Sequence, residues 1–114
     1  MSNWKVQGVL TAEFLVSEGS GQISRERIVV KAGAALPSGQ VLGVTSTGAY
    51  APYDNAANDG SEVAAAILYA PLAASDTSRS ATGIVRLAEV AGELLTGLDA
   101  AGRSDLAERH VIVR

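Results

Sequence analysis

Apolar positions along the chain come in short runs separated by turn residues, and the runs have the spacing of strands. Arg27-Ile28-Val29-Val30-Lys31 reads as one strand, closed off by Gly33 and by Leu36-Pro37-Ser38-Gly39. In that turn Pro presets φ and Gly accepts the left-handed position. Gln40-Val41-Leu42-Gly43-Val44 is the next run. Ser46-Thr47-Gly48 turns it into Ala49-Tyr50-Ala51-Pro52-Tyr53, a hairpin partner that must lie at an edge or end at Pro52, which has no N–H to donate. Residues 63–69 form a continuous apolar run that suits a buried strand, although its three central alanines would equally suit a helix. Ser75 to Ser80 reads as a polar loop with nothing to bury. Residues 83–90 alternate as a single strand, and Val111-Ile112-Val113 closes the chain as another. One helix is predicted, over 98–109. Its acids stand four residues ahead of arginines, in the pairs Asp99–Arg103 and Asp105–Arg109, and Gly102 weakens it by about 1 kcal/mol relative to Ala. The pattern predicts a mainly β single domain with one short C-terminal helix, without internal repeats.

The N-terminal stretch differs from the rest. Residues 4–16 hold the only Trp (Trp4) and the only Phe (Phe14) with Val6, Val9, Leu10, Leu15 and Val16, and their residue types favour an extended chain. Gly19-Ser20-Gly21 follows as a tract of linker composition. Two readings stay open: an arm that finds its burial elsewhere, or an N-terminal strand packed on the domain's own core. The first divides the chain into an arm and linker, 1–21, and a domain, 22–114.

Composition sharpens the picture. Hydrophobic residues make up 47% of the 114, but 20 residues are Ala and aromatics are only 4%. Small side chains bury little area each, so the core must be thin, and a partner subunit would hide surface the chain cannot hide alone. Nine basic against twelve acidic residues leave a net charge of −3. That balance argues against nucleic-acid binding, which needs a basic face. No Cys is present, which removes disulfides, thiolate metal sites and cysteine nucleophiles together. The start lacks the pattern of a signal peptide, and no apolar run is long enough to cross a bilayer, so the expectation is a soluble, cytoplasm-made domain.

Candidate chemistry is sparse. His110 is the sole imidazole, at the junction of helix and last strand, and reads as a surface or capping residue. Arg25-Glu26-Arg27 could grip an acidic partner, yet its internal Glu partly cancels the attraction and a solvated loop explains it as well. Gly19-Ser20-Gly21 lacks the Lys-Ser/Thr that follows a phosphate-binding loop. Asp54 and Asp59 lack the ligand spacing of a calcium loop. Glu89 and Glu93 would be neighbours only on a helix, where the pattern reads strand. No catalytic, cofactor-binding or metal-binding residues are assigned, and no cofactor is implied.

Taken in order, Phe14-Leu15-Val16-Ser17-Glu18 with Ser24-Arg25, then residues 36–43, Gly48-Ala49-Tyr50-Ala51-Pro52-Tyr53-Asp54, residues 59–69, Arg86-Leu87-Ala88-Glu89-Val90 and Val111-Ile112-Val113-Arg114 resemble the bacteriophage lambda-type head decoration protein D family. No one segment is diagnostic; their order and spacing carry the resemblance. It implies a β-clip-like fold, homotrimers on the outer surface of a phage capsid, and a cement function in which an N-terminal arm, loose in the free protein, adds to a sheet of the major capsid protein. Under that implication Phe14, Leu15 and Val16 form the arm's capsid-binding core, with Ser17, Glu18 and Arg25 as polar contacts. The protein is then a virion component made in the host cytoplasm and no enzyme. The alternatives are a small trimeric β-domain that binds a ligand or serves an enzyme, or a phage tail or fibre module. Related trimeric nucleotide hydrolases need catalytic aspartates and phosphate-contacting motifs that this chain lacks.

Overall fold

The computed structural model describes residues 11–19 and 23–114. Eight strands and one helix follow one another as β1 (Leu15–Glu18), β2 (Arg25–Val30), β3 (Val41–Val44), β4 (Tyr50–Pro52), β5 (Ala64–Leu68), β6 (Arg79–Ile84), β7 (Ala88–Val90), α1 (Ala100–Ala107) and β8 (Val111–Val113). Five of them close a barrel in the order β2-β4-β3-β5-β6, and β2 pairs with β6 along its whole length, from Arg25 opposite Ile84 to Val30 opposite Arg79. The other three form a sheet in the order β1-β7-β8. In it β1 runs antiparallel to β7, while β7 and β8 are parallel and need a crossover, which a 3-10 turn at Gly92–Leu94 and α1 supply.

β5 explains the continuous apolar run. It is buried along its whole length because both its faces are covered. Ala66 and Leu68 join Ile28, Val30, Leu42 and Val85 inside the barrel, while Ile67 packs between barrel, sheet and helix with Phe14, Val41, Ile84, Val90, Leu106 and Val111. The expectation of a mainly β domain with one short helix holds. So does the β3–β4 hairpin, where Thr45 and Ala49 bond across the turn, Gly48 sits at φ 91, and the strand stops at Pro52.

Several expectations are corrected. Residues 83–90 are two strands in two sheets, parted at Leu87, whose φ of 54 breaks the extended path. The Ser75 to Ser80 segment is more than a loop: β6 begins at Arg79, whose guanidinium donates to the carbonyls of Lys31, Ala34 and Ala73 and so ties the stretch after β2 to the one after β5. Arg25, Glu26 and Arg27 lie in β2, within the barrel wall. The helical acids serve backbone groups in place of the expected i,i+4 arginines. Asp99 caps α1 by accepting the Gly102 N–H at 2.7 Å, and Asp105 accepts the Ala64 N–H of β5 at 3.0 Å. Gly102 is there for space: a Cβ would meet the Tyr53 ring at 3.0 Å and the Asp99 carboxylate at 3.3 Å.

The N-terminal stretch shows the largest departure. Residues 4–10 lie outside the described residues, as does the expected boundary at 21/22, but residues 11–19 are folded onto the domain. Phe14 is completely buried. For that residue the second reading, a strand packed on its own core, is the right one, because Val41, Ile67 and Val90 together form an apolar site that a phenyl ring fills.

Candidate interaction surface

Three devices hold β1 in place. Ahead of it, Ala12 takes a left-handed conformation (φ 59) and donates its N–H to the carbonyl of Tyr69 at 2.9 Å and to Ser38 Oγ at 3.2 Å, aiming the Phe14 side chain into the core. At its end, Glu18 takes both Nε and Nη2 of Arg25, at 3.0 and 2.6 Å, and that guanidinium lies 4.5 Å from the centroid of the Tyr69 ring. The hydrogen bond to Glu18 is also the main reason the Arg25 pKa is raised. Beyond it, Gly19 donates to Ser24 Oγ at 2.8 Å and to the Leu87 carbonyl at 3.0 Å, while Ser24 Oγ donates to the same carbonyl at 2.8 Å. Gly19 is thus a close-approach site, where a Cβ would stand 2.3 Å from Ile23 Cγ2.

The six residues singled out in the sequence therefore separate. Phe14 is core. Leu15 is half-buried opposite Val90, and Glu18 and Arg25 are spent on each other. Val16, 56% exposed at a break in register between Leu15 and Ser17, and Ser17, exposed opposite Glu89, face outward. β1 is an edge strand with β7 on one side, and no strand lies on the other among the described residues. An unpaired edge is a template for another strand.

The outer face of this sheet carries residues that strand periodicity alone could not mark as functional. Ser17, Glu89 and Ile112 stand in one row across it. Beside the row is a concavity of about 250 Å3 walled by Leu87 and Ile112, 42% and 40% exposed. Leu87 occupies its left-handed φ at a price typical of a strained non-glycine residue, about 1–3 kcal/mol. The alternation of residues 83–90 gives no sequence signal for it. Glu89 is paired with Arg114 Nε at 3.1 Å. His110 lines the concavity, exposed and at φ 62, where its N–H completes the helix end on the Ala107 carbonyl.

Two other hollows, each about 260 Å3, lie beside Arg25, Arg27 and Tyr69 and beside Lys31, Leu36 and Pro52. Neither brings together a nucleophile, a base and an orienting group. Among the described residues every buried side-chain nitrogen and oxygen has a hydrogen-bond partner, and no group of three His, Cys, Asp or Glu is placed to hold a metal. No described helix is long and apolar enough to cross a membrane. What this surface offers is a strand edge and a groove with two exposed apolar side chains, Leu87 and Ile112.

The family model of the bacteriophage lambda head decoration protein D matches residues 5–111, nearly the whole chain. No match was found among curated proteins.

Proposed function

Since the chain belongs to the bacteriophage lambda head decoration protein D family, we propose that it binds the outer surface of a phage head as a homotrimer and cements the shell by pairing its N-terminal region with a strand of the major capsid protein. The family is structural, so the work asked of the fold is adhesion rather than turnover. The observation that carries the reading is the edge of β1, which no strand covers among the described residues and which is anchored behind by Phe14 and clasped by Glu18 and Arg25.

Backbone hydrogen bonds along that edge supply affinity, and alternate side chains supply selectivity. Ordering a strand from a loose chain costs about 1–2 kcal/mol per residue in backbone entropy. β1 is already in place, so the capsid strand meets an edge whose ordering is complete before contact, and that lowers the cost of binding. Of the six residues named from the sequence, Val16 and Ser17 are the ones positioned to touch the partner; Phe14, Leu15, Glu18 and Arg25 hold the strand for them. Three such edges on one trimer make the second and third contacts intramolecular, which raises affinity by about 10²–10⁴ without new interactions. The alanine-rich core supports oligomerisation, because a thin core leaves apolar surface for a neighbour to cover.

Sedimentation of the purified chain alone, and with heads assembled from the shell protein encoded in the same genome, tests both halves. Trimers that pellet with the heads are expected. A stable monomer that stays in the supernatant overturns the reading.

A further inference from the structure

The groove between Leu87 and Ile112 is not needed for strand pairing, yet it is built with care. Leu87 sits between β6 and β7 in a conformation that suits Gly or Asn far better than a branched apolar residue. The surroundings impose it: its carbonyl accepts from the Gly19 N–H and from Ser24 Oγ, and its N–H reaches the Arg109 carbonyl at 3.4 Å. A chain reversal alone would be served by a residue that fits without strain. Leu87 instead keeps a large apolar side chain in solvent, and Ile112 does the same from the middle of β8 between buried Val111 and Val113.

Charge defines what fits between them. The two carboxylates that border the groove are compensated, Glu89 by Arg114 and Glu18 by Arg25. Leu87 and Ile112 are the exposed apolar side chains of a lining that also holds Ser17 and His110. With both carboxylates paired, an apolar group gains burial there, while a charged group would lose hydration without an unpaired carboxylate to meet. Ser17 belongs both to the free edge of β1 and to the groove, so a segment that reaches that edge lies beside it. We infer that the groove between Leu87 and Ile112 receives one apolar side chain, carried on a neutral segment of the shell protein, and that this contact selects the shell to which the protein attaches. The inference rests on the decoration reading above.

The test compares wild type, Leu87→Asn, Leu87→Met and Ile112→Thr in binding to heads lacking the protein, assembled from the shell protein of the same genome. Asn tolerates positive φ, so Leu87→Asn keeps or raises the melting temperature while removing the apolar wall. It is expected to weaken binding at least about tenfold, with Ile112→Thr also weaker and Leu87→Met close to wild type. Unchanged binding by both Leu87→Asn and Ile112→Thr overturns the inference. So does a loss that tracks a change in sedimentation of the free protein, since the groove would then lie between copies of the chain. If wild type itself does not bind the heads, the decoration reading fails first, which separates the two outcomes.

Discussion

Phe14 is the residue on which the account turns. A phenyl ring with no exposed surface, among Val41, Ile67 and Val90, contributes to the folded state through burial and packing together. Phe14→Ala is expected to lower stability by about 3–5 kcal/mol in urea unfolding, with a matching fall in melting temperature. An unchanged melting temperature would place the ring outside the core. A second residue-scale prediction concerns Tyr53 and Asp99. Burial first, and the hydrogen bond donated to Asp99 at 2.7 Å second, push the Tyr53 hydroxyl up to about 12. The folded state thus favours the neutral phenol, and the stability this gives is present below pH 10 and lost as pH rises from 10 towards 12. Asp99 works in the opposite direction. Its cap on the Gly102 N–H, followed by the Tyr53 hydroxyl, holds its pKa below the usual 3.8, so its contribution is present above that value and fades as the solution becomes more acid. Melting temperatures across pH should fall at both ends, and Tyr53→Phe should flatten the alkaline limb. Its persistence would assign that limb to another group.

At the scale of elements, the order of strands was largely legible because most turns announce themselves with Pro, Gly or Asp. Where reading failed, the deciding contacts were remote in sequence. Phe14 precedes a Gly-Ser-Gly tract that looks like a separator, and only the apolar site made by β3, β5 and β7 shows that the chain folds back before it. Leu87 sits in unbroken alternation, and its left-handed turn is imposed by Gly19 and Ser24, more than sixty residues earlier. Asp99 and Asp105 have ideal spacing for helical ion pairs, but the backbone N–H groups of Gly102 and Ala64 take them first. The same logic makes β1 indispensable. Removing residues 1–18 takes Phe14 and a strand of the sheet and should abolish the cooperative unfolding transition in calorimetry. A well-folded 19–114 fragment would restore the picture of a separable arm. In α1, Gly102→Ala should fail to deliver the gain of about 1 kcal/mol that helix propensity promises, because the new methyl meets the Tyr53 ring.

For the whole molecule, the residues named from the sequence lie together on and beside β1 but in different environments. The sequence pointed to the stretch from Phe14 to Glu18 with Arg25, and the structure divides it into an anchor, a clasp and an outward pair, adding Leu87 and Ile112 from elements far along the chain. Net charge belongs to this scale as well. At −3, with Arg25 and Arg86 committed to Glu18 and Glu26, the charge balance favours no polyanion, and retention on a DNA column at physiological salt should be negligible. Electron cryomicroscopy of heads mixed with the protein tests the central claim most directly. The account predicts threefold density on the outside of the shell, with β1 and the Leu87–Ile112 groove turned towards a strand of the capsid protein. Density that docks through the barrel with the β1 edge facing solvent, or heads that remain bare, would contradict it.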